Sequence, residues 1–371
     1  MRILRGLGFT ICLFLLVFQA KVSAAEWIGD TIVIEENGSV ECSQPNPPLR
    51  RIGATYYLAD DIRIITRKEG IVVKKSNIVV EGNGRIIAGC GGFTSECGIL
   101  LEKVNNVTLR NVSVVDFENG IGFNFSSGNN LVECTFSGNN LAGVFLYSSS
   151  NNKIVNCTVS KNRFGIVSWS SFDNVVYHNN FIYNANQAFC VDSQNIWDNG
   201  YPSGGNYWSD YASVDYKSSQ NQDEPGADGI LDEPFFIGLN NRDYYPLATP
   251  YGTARCRVSS LSISPDSVNA GQPSAISVKV ENIGESSGSY EVKLEVNEQT
   301  VDTKMVSLDS GESMIVGFTY KPVKEGYYII GVNGLTGSLR VSKEEPPWLI
   351  IIVVAVTIMI LMIILRRRHA S

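Results

Sequence analysis

Paired carboxylates are the first chemistry to look for in this chain, because cleavage of a glycosidic bond uses two acids a few ångströms apart. From about residue 77 to residue 195 the sequence repeats itself, with blocks that recur about every 22 residues, so equal positions in successive repeats should lie side by side. In this alignment the acids fall beside uncharged residues: Asp116 beside Asn139, Glu133 beside Asn156, Asp173 beside Asn151, and Asp192 beside Ser170. The sequence therefore predicts no stacked acid pair and no catalytic residues.

Copper or another soft metal would need a cluster of His, Cys or Met side chains. Cys134, Cys157 and His178 lie close together in the repeat alignment. Successive residues of a strand point to opposite sides, so the two thiols should face inward and the imidazole outward. The sequence therefore predicts no copper site. No cofactor is expected, apart from a calcium ion at the acidic loop described next.

The segment from Asp223 to Asp232 is rich in acids and turn residues. Calcium prefers oxygen ligands, and Asp223, Asp228 and Asp232 could supply them. Gly226 stands where an EF-hand loop requires a ligand, so the segment is not an EF-hand. A loose Ca²⁺ site and a rigid surface turn remain as alternatives, and the turn is favoured.

Aromatic residues are concentrated just after the repeats. Their rings could stack on sugar rings as ligand-binding residues, or they could close the end of a solenoid, and capping is favoured. The residues concerned are Trp197, Tyr201, Tyr207, Trp208 and Tyr211.

Seven of the eight cysteines follow the N-terminal apolar segment and would enter an oxidising compartment. Cys90 and Cys97 flank a short loop that a disulfide would close, and free thiols are the alternative. Cys134 and Cys157 could also bridge, but buried, stacked thiols are the preferred interpretation.

Short strands must position all these residues. Residues 105–194 contain eighteen asparagines and only four leucines, which is typical of strands joined by Asn-rich corners and not of leucine-rich repeats. Blocks beginning at Asn129, Asn151 and Asp173 recur at one constant interval, and a block beginning at Asn105 precedes them by a slightly longer one. A fixed period of this size predicts a solenoid, here a parallel β-helix.

Strand alternation assigns three columns of stacked residues to the two sides of the coil wall. Two columns are predicted to face inward: Leu109, Val132, Val155 and Tyr177, and then Asn111, Cys134, Cys157 and Asn179. The column between them is predicted to face solvent: Arg110, Glu133, Asn156 and His178.

The two ends of the chain predict its compartment. Residues 1–25 combine early arginines, an apolar run and a small-residue exit, as in a secretory signal peptide. Residues 348–365 carry no charge and could form about 27 Å of helix, enough to cross a membrane. Three arginines begin the tail, residues 366–371, so the tail should be cytoplasmic and the preceding chain outside. The net charge of −7 argues against a nucleic-acid partner.

The chain divides into four external segments before the predicted membrane helix. Residues 26–76 are predicted to form the N-terminal cap and first coil, residues 77–195 the β-helix repeats, and residues 196–254 the C-terminal cap. Residues 255–342 alternate apolar and polar residues between turns, which predicts a β-sandwich. The predicted fold class is all-β: a right-handed parallel β-helix, an immunoglobulin-like sandwich and one transmembrane helix.

The Asn-rich coils lead into residues 205–211, Gly-Asn-Tyr-Trp-Ser-Asp-Tyr, and over residues 30–250 the chain resembles NosD-type β-helix proteins. That family is named for a periplasmic copper-binding accessory protein and is grouped with carbohydrate-binding and sugar-hydrolase β-helices. Residues 255–342 resemble CARDB-like immunoglobulin-fold modules, which indicates a fold and not a ligand.

The predicted function is that of a membrane-anchored cell-surface protein acting as a non-enzymatic binding or scaffold module. Its expected partners are surface glycans or other components of the cell envelope, and the membrane itself. The alternative is a polysaccharide lyase or glycoside hydrolase of the β-helix class. A copper accessory role is disfavoured by the small number of soft ligands.

Overall fold

The computed structural model describes residues 26–91, 96–343, 355–360 and 362. Residues 355–360 and 362 are helical. Across the described residues, no helix combines the length and the apolar character needed to cross a membrane. The predicted signal peptide and most of the predicted transmembrane helix lie outside the described residues.

The remaining regular elements of the described chain are strands, in four groups. The first group is β1 (Glu26–Gly29), β2 (Ile32–Ile34), β3 (Val40–Cys42), β4 (Leu49–Ile52), β5 (Thr55–Leu58), β6 (Asp61–Ile64) and β7 (Ile71–Val73). The repeats contain β8 (Ile78–Ala88), β9 (Cys97–Glu102), β10 (Val107–Val115), β11 (Asn119–Asn124), β12 (Asn130–Val132), β13 (Thr135–Ser137), β14 (Ala142–Tyr147), β15 (Lys153–Val155), β16 (Thr158–Ser160), β17 (Phe164–Trp169), β18 (Val175–Tyr177), β19 (Asn180–Ile182) and β20 (Asn186–Val191).

Two further groups complete the chain. The end of the solenoid contains β21 (Tyr207–Trp208), β22 (Lys217–Ser218), β23 (Glu224–Pro225), β24 (Phe235–Gly238) and β25 (Asn241–Asp243). The last domain contains β26 (Cys256–Ser264), β27 (Ser267–Asn269), β28 (Ser274–Asn282), β29 (Gly288–Val296), β30 (Gln299–Leu308), β31 (Ser313–Tyr320), β32 (Gly326–Val332) and β33 (Leu335–Ser342).

Two long sheets run along the solenoid and confirm the predicted β-helix. Sheet A has the order β1-β6-β8-β10-β13-β16-β19-β21, with β12, β15 and β18 paired beside it. Sheet B has the order β20-β17-β14-β11-β9-β7-β2-β3. Each repeat adds one strand to sheet B and pairs in parallel with the repeats before and after it. The coils therefore bury their apolar sides against one another, as a solenoid must.

The coils turn at residues with positive φ, and these corners overturn part of the predicted register. Asn111, Glu133, Asn156 and His178 occupy one such column, with φ between 54° and 56°. A residue with positive φ interrupts the alternation of inward and outward side chains along a strand. Counting in steps of two from an inward residue before the corner therefore does not lead to an inward residue after it.

The predicted inward position of Leu109 is confirmed, but in the later coils the inward column before this corner is one residue earlier than predicted. Its members pair in register and are at most 1% exposed: Leu109, Leu131, Ile154 and Val176. Placing Val132 and Tyr177 inside was therefore wrong, since both are only half-buried and pair in register with Arg110 and Val155.

After the corner, the predicted inward position of Cys134, Cys157 and Asn179 is confirmed, because all three are buried. The prediction for Asn111 was wrong: it is exposed at the corner, and Val112 takes the inward place.

Buried polar side chains form hydrogen-bonded ladders along the solenoid. Asn152 Oδ1 accepts from the backbone N of Asn129 at 2.9 Å and from its Nδ2 at 3.0 Å. Asn174 and Asn195 repeat the pattern in the next coils. Each asparagine side chain thus makes hydrogen bonds to buried polar groups at the corner of the neighbouring coil, which explains why asparagine recurs at these positions.

The last domain is a pair of sheets around a second core. One sheet has the order β26-β28-β31 and the other β27-β33-β32-β29-β30. Ile276 and Val278 from the first sheet pack with Val292, Leu294 and Ile330 from the second, and all five are at most 1% exposed. The predicted sandwich architecture is confirmed.

Candidate functional site

The predicted terminal aromatics divide into buried and half-buried residues. Trp197 is 1% exposed and Trp208 is 2% exposed. The Trp208 ring lies between Phe181, at 4.5 Å and 7°, and Phe235, at 4.4 Å and 22°. These two indoles close the solenoid core and offer no ring face to a ligand.

The three predicted tyrosines are half-buried in the same cap: Tyr201, Tyr207 and Tyr211. The Tyr211 hydroxyl donates to the Pro234 carbonyl at 3.1 Å, and the Tyr201 ring lies 6.3 Å from that of Tyr245. Their rings are engaged with the cap itself and do not line up as a platform.

Sequence reasoning missed Asp243, which ends one polar ladder beneath these rings. Its Oδ2 accepts from Trp208 Nε1 at 2.9 Å and from the Asn206 backbone at 2.7 Å, and the residue is fully buried. Burial raises the pKa of Asp243 to about 7. The cap therefore contains a buried carboxyl group that accepts hydrogen bonds from the residues around it.

The acids proposed for calcium do not converge. Asp223 is exposed and accepts from Ser219 Oγ at 2.5 Å, while Asp232 Oδ1 accepts from the Tyr216 and Lys217 backbone at 3.1 and 3.0 Å. Within the described part of the chain, no three His, Cys, Asp or Glu side chains are grouped to hold a metal ion.

Asp228 is buried and receives the Ile230 backbone N–H at 3.0 Å. Its backbone N donates to Asp215, whose other oxygen accepts from Gly229. Burial raises the pKa of Asp228, although Tyr201 and Gln222 lie near enough to favour its ionised form. Among the described residues, no donor has hydrogen-bonding geometry to its Oδ2. These bonds are those of a structured turn, the favoured interpretation of this loop.

The side chains considered for copper do not fit that metal. Cys134 and Cys157 are buried in the core, and the Cys134 backbone N donates to Cys157 Sγ at 3.4 Å. His178 stacks on Tyr251 at 4.1 Å, and its Nε2 lies 3.0 Å from the Ser203 carbonyl. The ring is thus held against the cap, away from the thiols' side of the wall.

The cysteines proposed as a disulfide are both free thiols. Cys97 is buried at the start of β9, whereas Cys90 is exposed with its Sγ 3.7 Å from the Thr66 carbonyl. The Cys90–Cys97 disulfide is therefore not formed in this structure, and burial raises the pKa of the Cys97 thiol to about 12.

The outer side of sheet B carries exposed aromatic rings on neighbouring coils. We define the aromatic face as the surface formed by Phe145, Tyr147, Phe164, Trp169 and Phe189. Tyr147 pairs in register with Trp169, and the two are 40% and 47% exposed. Phe189 is 46% exposed, and its ring lies 5.5 Å from Phe164. Aromatic surface repeated on neighbouring coils marks an interaction surface and not a set of isolated residues.

Carboxylates meet at the strand-start edge of this face, which corrects the prediction that no acids stack. Cys97 pairs with Asn119, so the preceding residues Glu96 and Glu118 are neighbours, and the Asn119 backbone N donates to the Glu96 carbonyl at 3.0 Å. Burial first, and then the charges of Glu69 and Glu118, raise the pKa of Glu96. The three glutamates therefore form one acidic cluster.

The sequence contained a signal for both features. Glu96 and Glu118 are separated by one repeat length, and so are Tyr147 and Trp169. Glu96 precedes the first aligned block, which begins at Asn105, so the alignment does not place it beside Glu118. Glu69 precedes Glu96 by more than one repeat length because the first coils contain longer corners, and no fixed period relates the two.

Comparison with known proteins agrees with this architecture. The family model described as periplasmic copper-binding protein (NosD) matches residues 28–213, just over half of the chain, and the CARDB model matches residues 256–333. None of the curated proteins matches the chain.

Solved structures match smaller parts of it. The CARDB domain of the PF1109 protein from Pyrococcus furiosus, in complex with di-metal ions, is 23% identical, covering 26% of this chain and 100% of that domain, with a TM-score of 0.23. A β-glucosidase from Listeria innocua in complex with glucose is 14% identical, covering 30% and 19% of the two chains, with a TM-score of 0.24. A β-glucosidase from Erythrobacter marinus is 15% identical, covering 29% and 18%, with a TM-score of 0.24. This chain thus spans less than a fifth of either glucosidase, and these likenesses carry no argument about activity.

Proposed function

We propose, from the premise that this chain belongs to the NosD family, that it is a membrane-anchored cell-surface protein that binds glycans without cleaving them. The observation that carries the proposal is the aromatic face, where exposed rings repeat from coil to coil on an open parallel sheet. Sugar rings have apolar C–H faces and polar edges, so they suit an aromatic surface flanked by amides and carboxylates.

The polar flanks are supplied by the neighbouring columns of the same sheet. Glu102 and Asn124 pair in register with Tyr147 and Trp169 at the strand ends, and Asn119 and Asn186 lie at the strand starts. Their acceptors and donors could hydrogen-bond sugar hydroxyl groups while the rings stack. The net charge of −7 disfavours a nucleic acid on the same surface.

Trp169→Ala tests this proposal. The substitution should weaken binding of the full-length protein, purified in detergent, to its preferred array glycan by about fivefold or more, close to 1 kcal/mol. The melting temperature should hardly change, because Trp169 is 47% exposed. The matched control is Tyr327→Ala, which removes a ring that is 75% exposed on the sandwich and should leave affinity unchanged.

Three results would count against the proposal. The first is equal loss of affinity in both variants. The second is absence of any glycan ligand together with self-association of the wild type that Trp169→Ala abolishes, which would make the face a contact between copies. Release of reducing or unsaturated sugars by the wild type would favour the enzymatic alternative, and the neighbouring Glu96 and Glu118 would then be the acids to replace.

The proposed membrane anchor and its orientation rest on the difference in charge between the two sides of residues 348–365, because arginines follow directly after them. Protease added to intact cells should remove the external domains and spare a tag placed after Ser371. Digestion of that tag while cytoplasmic markers survive would reverse the proposed orientation.

A further inference from the structure

A cavity of 410 Å³ opens on the outer side of sheet B, and Gly122 is among its lining residues. Leu100, Gly122, Phe145 and Val167 pair in register as one outward column. Gly122 has no side chain, and its neighbours pack closely against its backbone. A Cβ atom at Gly122 would lie 2.5 Å from Cys97 Sγ and 3.3 Å from Leu100 Cδ1.

The wall of this cavity at the strand starts is acidic. Glu69 and Glu118 line it, and Glu96 lies against both of their charges. The positive charge of Arg67 lowers the pKa of Glu96 and so opposes the effect of the two other glutamates. We name the glutamate pocket by Glu69, Glu96, Glu118, Asn119 and Gly122.

Asn119 supplies an independent indication of a ligand. It lines the cavity and is 7% exposed, and none of the described residues makes a hydrogen bond to its Oδ1. The Asn119 side chain lies close enough to Cys97 to favour the thiolate form of that cysteine. This contact does not provide a hydrogen-bond donor to Asn119 Oδ1. An unpaired buried carbonyl oxygen costs free energy, which a donor entering the pocket would recover.

The pocket therefore presents carboxylates and an unpaired amide oxygen, all of which accept hydrogen bonds. A matching ligand group carries positive charge and several donors, and an ammonium group has three N–H donors. Apart from Asn124, the remaining lining is mostly apolar or aromatic, including Leu141, Phe145 and Tyr147, which suits an organic cation better than a hydrated metal ion.

We propose that the glutamate pocket binds the protonated amine of an amino sugar, so that the glycans held by the aromatic face carry free ammonium groups. This inference rests on the proposed glycan-binding function and names its ligand class. Phe145 and Tyr147 belong to both the pocket lining and the aromatic face, so one oligosaccharide can occupy the two sites together.

Three tetrasaccharides with the same β-1,4 backbone test the inference on the full-length protein in detergent. They differ only at carbon 2 of each sugar: glucosamine carries ammonium, N-acetylglucosamine carries acetamide, and glucose carries hydroxyl. By calorimetric titration, the glucosamine tetramer should bind at least tenfold more tightly than the other two. The preference should shrink as salt is added, because the interaction is between charges.

Glu118→Gln and Glu69→Gln should each reduce that preference severalfold and leave the glucose tetramer's affinity unchanged. Two separate variants are used so that a folding defect in one does not decide the result. Glu133→Gln is the matched control: it makes the same charge change at an exposed corner between β12 and β13, outside the pocket and the aromatic face, and should keep the preference. A tetralysine peptide measures attraction by charge alone and should bind more weakly than the glucosamine tetramer.

The failures of the two proposals can be told apart. If the three tetramers bind equally and Trp169→Ala weakens them all, the glycan proposal stands and the ammonium inference is overturned. The inference also falls if both glutamate variants keep the full preference, or if tetralysine binds as tightly as the sugar. If no glycan binds at all, both proposals fail.

Discussion

Trp208→Ala is expected to lower the free energy of unfolding of the solenoid by about 3–5 kcal/mol, the usual cost of truncating a buried tryptophan. The ring is 2% exposed and is stacked between Phe181 and Phe235. The substitution also removes the indole N–H that Asp243 receives at 2.9 Å, which leaves a buried carboxyl group with one donor fewer. Hydrogen exchange followed by mass spectrometry should show faster exchange in residues 180–208, with the sandwich unaffected.

Trp169→Ala is the control for that measurement, because it removes the same side chain from an exposed position. It should change stability by about 0.5 kcal/mol or less. Similar destabilisation by the two substitutions would mean that Trp208 does not close the core. A stable Trp208→Ala protein that had lost glycan affinity would return this residue to the binding surface.

Asn152→Ala is expected to cost about 3 kcal/mol or more, because one side chain makes four hydrogen bonds in the polar ladder. Its Oδ1 accepts from the backbone and side chain of Asn129, at 2.9 and 3.0 Å. Its Nδ2 donates to the Ser126 carbonyl and to Asn174 Oδ1, both at 3.0 Å. Alanine would leave these groups unpaired in a buried site, and denaturant unfolding should report the loss.

The preceding residue provides a matched control for the ladder. Asn151 is exposed and has a φ of 57°, a conformation that glycine adopts without strain. Asn151→Gly should therefore change stability by about 0.5 kcal/mol or less. Equal effects of Asn151→Gly and Asn152→Ala would contradict the assignment of the ladder to the buried amide.

Several features of this protein follow from the sequence alone. The constant repeat period and the abundance of asparagine predicted the β-helix, because only stacked coils give equal positions equal environments. Strand alternation predicted the inward position of Cys134 and Cys157, and their burial confirms it. The alternating pattern after residue 255 predicted the sandwich, since its two sheets each bury one side.

The repeat period does not show which residues of a coil face inward and which face solvent. A residue with positive φ, such as Glu133, shifts the in–out parity within a repeat, and sequence spacing does not record backbone angles. The inward column was therefore placed one residue late, at Val132 in place of Leu131. The same ambiguity left the exposure of each aromatic residue open.

The candidate site depends on coil lengths that only the tertiary structure fixed. The interval from Glu69 to Glu96 is longer than the interval from Glu96 to Glu118, and the fold still brings all three to one edge of sheet B. Parallel pairing aligns strand starts whatever the length of the corners between them, because register is set by hydrogen bonds and packing across the sheet. The sequence determined which residue types are available for binding, and the stacking of unequal coils decided that Glu69, Glu96 and Glu118 lie together at one edge of the cavity.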